Sequence, residues 1–317
     1  MQFDYRTICH SNLIKDLSDK QKEVVVRRFG LRGEKETLEA IGKDMGITRE
    51  RVRQIEQDSL EKLRQKTDLP VCRNVSHYFA DYLNKNSGLK KESLLLEQLG
   101  GDRFKNHVFF LLTLNDPFLR FPESEQFHTL WATSEQSLEK ARKFLDSFVA
   151  RLEKEKKPLP LPSEIPASFA EASKKVLTNQ EGLHGLPHWP EINPRGVRDK
   201  AYILFKKEKR PLHFSEVASL VHHAVPQTVH NELIKDPRFV LVGRGLYALQ
   251  EWGYQPGAVR EVISRTLQES GRALDKDEIL KKVLEQRKVQ PNTIFLNLQN
   301  KKFFIKNSQG KYTIRRV

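Results

Sequence analysis

The sequence predicts a mainly α-helical chain of several domains, with small β-hairpins towards its end. Three observations carry this. Apolar residues recur at helical spacing through the first half. Short apolar runs in the last third are followed by Gly-containing turns. That last third also repeats itself. At 317 residues the chain has room for two to four domains.

Residues 37–64 read as a helix, a tight turn and a longer helix. Leu38, Ile41 and Met45 share one face of the first helix at i, i+3, i+7 spacing. Gly46 suits the exit, where the chain needs positive φ. Thr48 is placed to cap the second helix through its hydroxyl. In that helix Val52, Ile55, Ser59 and Leu63 form a narrow inner stripe, with Leu60 at its edge. Glu50, Arg53, Gln54 and Gln57 project from the other side. Arg can bond guanine, and Gln adenine, in a bidentate way, so such a face can read a major groove. The same spacing also suits a charged amphipathic helix in an ordinary bundle. Upstream, Ser18 and Gln21 form a capping box that starts a helix carrying Val24, Val25 and Phe29, with Leu31 beyond it. Gly30 and Gly33 break that helix. Arg27 and Arg28 are candidates for phosphate contact or solvation. Residues 1–16 are a lead-in with one partial helix.

The residues themselves add a resemblance. LSDKQKEVVVRRFGL, from Leu17, and TLEAIGKDMGITRERVRQIE, from Thr37, resemble region 4 of the sigma-70 family of bacterial transcription initiation factors. In that family this helix enters the major groove of a promoter element. The resemblance implies that Arg49, Glu50, Arg53 and Gln54 read bases. Gln57 lies on the same face. Arg51 and the amide end of the helix near Thr48 suit phosphate. It also implies two partners, promoter double-stranded DNA and the flap of the RNA polymerase β subunit.

Asp68-Leu69-Pro70 closes this module, giving a domain at 1–70. Residues 71–154 read as a helical domain with pieces near 74–86, 91–100, 103–114 and 134–154. Val108 to Leu112 is a strongly apolar run, Asn115-Asp116-Pro117 is a turn, and the aromatic stretch 118–127 is a short hairpin or loop. Residues 155–194 read as a Pro-rich linker, since Pro158, Pro160 and Pro162 favour an extended spacer. A short helix is expected at 167–178.

The repeat occupies residues 195–253 and 254–317. PLHFSEVA, from Pro211, and FVLVGRGLYAL, from Phe239, belong to the first copy. Leu212 aligns with Leu274, Thr228 with Thr293 and Tyr247 with Tyr312. Each copy reads helix, short helix, helix and two strands, which is the order of a winged helix. Thr228 and Thr293 are expected to cap the third helix. Gly243-Arg244-Gly245 and residues 307–310 are the expected wing tips. These motifs resemble the HARE helix-turn-helix family, strongly in the first copy and less in the second, where Ala273 replaces the proline. The fold class is therefore a sigma region 4-like helix-turn-helix, a central helical segment and two tandem winged helices with β-hairpin wings.

Charge sorts along the chain. Residues 1–70 carry 15 basic and 13 acidic side chains, residues 71–194 carry 16 of each, and residues 195–317 carry 24 and 12. The surplus in the last third points to an anionic partner there, or to a lysine-rich solubilising surface. Charge nominates Lys209, Arg210, Arg244, Lys301 and Lys302 for DNA contact. Lys206, Lys207, Lys306, Lys311, Arg315 and Arg316 are further candidates. Cys9 and Cys72 support no disulfide framework and fit a reducing cytoplasm. No apolar run nears the roughly 18 residues of a membrane span, and no signal peptide is visible at the start. A cytoplasmic, nucleoid-associated protein is expected. Enzyme chemistry is not. The sequence has no phosphate loop and no Cys/His set with metal spacing. Cys9-His10 and His222-His223 are adjacent pairs whose side chains diverge on regular structure. No cofactor is implied. The reading is a DNA-binding regulator of transcription initiation. The rival is an accessory module that binds polymerase, with incidental DNA contact.

Overall fold

The computed structural model describes residues 3–221 and 224–315, so the expectations for His222, His223 and Arg316 lie outside the described residues. The chain forms two compact units, Met1–Pro187 and His188–Val317.

In the first unit, α1 (Tyr5–Thr7) runs into a π-helical turn (Ile8–Leu13) and a 3-10 turn (Ile14–Asp16). The lead-in is ordered beyond one partial helix, because Tyr5, Ile8, Cys9, Leu13 and Ile14 are all buried. Next come α2 (Asp19–Phe29), α3 (Leu38–Met45) and α4 (Arg49–Arg64). The capping box at Ser18 and Gln21 is present, and Gly30 ends α2 in the left-handed region. α5 (Pro70–Lys85) starts on Pro70, where the missing N–H costs nothing. After β1 (Leu89–Lys91), α6 (Glu92–Leu114) is interrupted at Gly101. That break separates the two pieces seen in the apolar pattern. β2 (Leu119–Phe121) and β3 (Leu130–Ala132) complete an antiparallel sheet of order β1-β3-β2. α7 (Glu135–Glu155), α8 (Ala167–Ala172) and a small hairpin of β4 (Leu177–Thr178) with β5 (His184–Gly185) follow.

Two expected boundaries do not hold here. One core spans the break placed at residue 70. It joins Phe29, Leu31 and Leu63 to Phe79, Val108 and Phe110. Phe29 and Phe110 meet edge to face at 5.0 Å between ring centroids. The Pro-rich stretch is also no spacer. Leu159 and His184 exchange backbone hydrogen bonds of 2.9 and 2.7 Å. Ser168 Oγ donates to the Asn86 carbonyl at 2.7 Å, and Lys90 pairs with Glu171 at 2.6 Å. Prolines set the local path, but Ile165, Phe169, Val176 and Leu186 are apolar and buried.

The second unit holds the repeat. Its first copy is α9 (Val197–Glu208), β6 (Leu212–His213), α10 (Phe214–Leu220), α11 (Pro226–Lys235), β7 (Phe239–Gly243) and β8 (Leu246–Leu249), with sheet order β6-β8-β7. A 3-10 turn (Gln250–Trp252) leads on. The second copy is α12 (Val259–Ser270), α13 (Lys276–Gln286), α14 (Pro291–Leu298), β9 (Phe304–Lys306) and β10 (Tyr312–Ile314). Equivalent contacts recur. Leu212 pairs with Tyr247 and Leu274 with Tyr312. Arg210 bonds Glu216 at 2.5 Å, and Arg272 bonds Glu278 at 2.7 Å. Each copy has its own core, around Phe205 and Val229 in one and Ile263 and Ile294 in the other. The backbone between the copies is tied down as well. Buried Arg287 donates to the carbonyls of Gln286, Gln255 and Gly257 at 2.6–2.7 Å, and the Lys288 amide donates to Val242 of β7. Thr228 and Thr293 are not caps. Pro226 and Pro291 open their helices, so each threonine sits in the first turn, after Val225 or Gln290 at the cap.

Candidate nucleic-acid interface

The turn between α3 and α4 is set by two glycines. Gly46 closes α3 at φ 65°, as its position suggested. Gly42 acts differently. A Cβ there would stand 2.8 Å from the Ile47 carbonyl, so only glycine lets the turn fold back this closely. The Ile47 amide then donates to the Gly42 carbonyl at 3.0 Å. Thr48 caps α4, its Oγ1 accepting from the Arg51 amide at 3.1 Å. Val24, Ile41 and Val52 fill the space beneath the turn, with Leu38, Met45, Ile47 and Ile55 around them. Ser59 is fully buried in the inner stripe, where its hydroxyl donates to the Ile55 carbonyl.

Arg27 and Arg28 lock this arrangement from α2. Arg27 makes two bonds to Glu36, at 2.9 and 2.7 Å, and one to Asp44 at 2.6 Å. Glu36 first, then Asp44, holds the guanidinium pKa above its ordinary value, and Arg27 lowers that of Glu36. Arg28 pairs with Glu56 of α4 at 3.3 Å and donates to the Glu36 carbonyl at 3.2 Å. Both arginines are thus structural clamps, and neither is free for phosphate. Nothing in the apolar periodicity marks Gly42, Glu36 or Asp44. The repeated Gly of GKDMG was the only available signal.

Thr48, Arg49, Glu50, Arg51, Arg53, Gln54 and Gln57 are all exposed on α4 and its cap. Side-chain hydrogen bonds join two groups among them, Glu50 with Arg53 and Gln57, and Arg51 with Gln54. Arg53 donates from Nε and Nη2 to Glu50 at 2.9 and 2.8 Å, and from Nη1 to Gln57 at 3.1 Å. Arg51 Nη1 donates to Gln54 Oε1 at 3.1 Å. The Arg53 guanidinium lowers the pKa of Glu50, which stays an acceptor at neutral pH. A guanidinium has five N–H donors, so one on each Arg53 Nη remains for a second partner. A planar donor pair held by a neighbouring carboxylate is suited to the O6/N7 edge of guanine.

In the second unit the charged candidates divide. Lys209, Arg244, Lys301 and Lys302 are exposed. Lys209 ends α9 at φ 53°, and Arg244 sits at the β7–β8 tip. Arg210 is exposed but held by Glu216 and by Glu208 at 3.4 Å. Lys206 bonds Glu191 at 2.8 Å and lies against the Tyr202 ring, which takes it out of the candidate set. Among the described residues, no group of three or more His, Cys, Asp and Glu side chains could hold a metal ion. None of the helices there is long and apolar enough to cross a membrane.

Residues 13–65 match the family model described as Sigma-70, region 4. RNA polymerase sigma factor RpoS of Coxiella burnetii is 56% identical over 52 residues, which cover 16% of this chain and 15% of that protein. SigA4 of Synechococcus elongatus is 40% identical over 63 residues, 20% of each chain. RpoD of Helicobacter pylori is 42% identical over 65 residues, 20% of this chain and 10% of the relative. The chain thus spans 10–20% of the length of these curated relatives. The helix-turn-helix of α3 and α4, together with α2 before it, is similar to region 4 of the sigma-70 factors.

Proposed function

We propose that the chain is a DNA-binding regulator of transcription initiation that acts by binding and performs no catalysis. The observation that carries this is the exposed Arg49-Glu50-Arg53-Gln54 face on a capped helix, inside the stretch similar to sigma-70 region 4. Arg49, Glu50, Arg53 and Gln54 read base edges. Thr48 and Arg51 contact phosphate at the helix N-terminus.

The two copies in the second unit act as winged helices. Their helix order, their paired strands and the recurring Arg–Glu pair support that reading. They add affinity through Lys209, Arg244, Lys301 and Lys302, mostly by counterion release. Because the named relatives are RNA polymerase sigma factors, contact with polymerase, through the β-subunit flap, belongs to the same proposal. So does a location on the nucleoid.

The test is selection of bound sequences from a random duplex pool, run on the full chain and on Arg53→Ala. A shared motif that loses preference at one base position in the variant is the expected result. Recovery of no motif, with polymerase still captured, would replace the DNA reading by the accessory-module reading.

A further inference from the structure

A cavity of about 470 Å³ opens against the C-terminal half of α4, between α2, α6 and the β2–β3 hairpin. That volume falls within the range of small-molecule sites, roughly 300–1,000 Å³. Four aromatic rings line it, from Phe29, Phe109, Phe118 and Trp131. Three cations join them, Arg28, Lys35 and Arg120.

The nearby carboxylates are already engaged. Glu56 faces Arg28 at 3.3 Å. Glu92 accepts from Arg120 at 2.6 and 2.9 Å and from Trp131 Nε1 at 2.9 Å. Lys35 has no carboxylate partner among the described residues, and its ammonium lies 3.7 Å from the centroid of the Phe109 ring. Partial desolvation there lowers its pKa, and the Glu92 carboxylate offsets part of that. Arg28 is taken up by its Nε ion pair with Glu56, so Lys35 carries the surplus charge. Aromatic walls with a surplus of cations describe the complement of a flat ring bearing an acid group.

We propose that this cavity binds a small aromatic anion, a ring carrying a phosphate or a carboxylate. The ring lies on the aromatic floor, and the acid group meets Lys35 and Arg120. Glu56 and Leu60 lie one and two turns beyond Arg53 on α4. The ligand therefore rests on the same helix that presents the candidate base-reading residues.

The test is titration calorimetry on the full chain with ADP and indole-3-acetate, each a ring with an acid group. Adenosine and inorganic phosphate serve as the half-ligands. Saturable binding of ADP or indole-3-acetate is expected, and whichever binds identifies the acid group as phosphate or carboxylate. Lys35→Glu should weaken that binding about tenfold or more, the loss expected for a charge-assisted hydrogen bond. Thr113→Trp, which fills the cavity from its α6 wall, should abolish it. Thermal unfolding reports that each variant is folded. No binding of either anion at millimolar concentration overturns the proposal. So does adenosine binding as tightly as ADP, or binding that neither variant changes.

Discussion

Phe110 lies far outside residues 13–65, yet its ring is fully buried against Phe29 of α2. Phe110→Ala therefore tests whether the helix-turn-helix and the central helices share one core. Removing a buried phenyl ring costs about 3–5 kcal/mol. The edge-to-face pair with Phe29 accounts for about 0.5–1.5 kcal/mol of that. A domain has only about 5–15 kcal/mol in all, so the variant should fold with a much thinner margin. Native-state hydrogen exchange reads this residue by residue. If α4 opens only when the shared core opens, the amides of Ile55 and Leu63 should lose protection by the same factor as that of Leu111. At 1.4 kcal/mol per tenfold, that factor is roughly a hundred to a few thousand. Loss of protection confined to α6, with α4 unchanged, would refute the shared core.

Four further outcomes follow from the structure. Arg53→Ala should weaken binding to the preferred DNA sequence about tenfold or more and relax preference at one position, read by competition binding. Unchanged affinity and preference would remove Arg53 from the base-reading set. Deleting residues 188–317 should flatten the dependence of DNA affinity on salt, and an unchanged slope would show that the basic third makes no phosphate contacts. Gly42→Ala should destabilise the first unit by about 1–3 kcal/mol in urea unfolding, since its Cβ would press on the Ile47 carbonyl. A neutral effect would mean the turn gives way freely.

The last outcome concerns pH. Both ring nitrogens of His107 are buried without partners among the described residues, and burial, then nearby His10 and Arg6, pushes its pKa down to about 4. Its folded pKa is below its unfolded value of 6.5, so the fold favours the neutral ring. That contribution is present above pH 6.5 and is lost as pH falls towards 4. Over this window His107→Phe should lose less stability than the parent chain, and parallel losses would refute the assignment.

The helices were legible where a period and a cap agreed. Ser18, Gly46 and Thr48 each stand at the boundary their chemistry suggests. The exposed face of α4 followed from the same period, because Val52, Ser59 and Leu63 fix which side turns inward. Burial between distant segments left no local mark. Asp68-Leu69-Pro70 looks like an exit, but Pro70 merely opens α5, which packs onto the same core. Alternate prolines look like a spacer whether or not Ile165 and Phe169 find a surface to cover. Free and clamped arginines are also identical in sequence. Only the fold shows Glu36 and Asp44 closing on Arg27. The aromatic cavity was invisible for the same reason, since positions 28, 35, 109, 120 and 131 meet only in three dimensions.

The carbonyl clasp on Arg287 has a mechanical consequence. A charge that is 2% exposed and held by three backbone oxygens cannot let go of the connector between the two repeat copies without being stranded. With Lys288 also tied to β7, the joint behaves as a weld rather than a hinge. On the proposed DNA-binding role, the two copies would meet a duplex as one ruler of fixed length. Their spacing either matches the helical phase of the DNA or it does not. Docking both costs the translational and rotational freedom of one body instead of two.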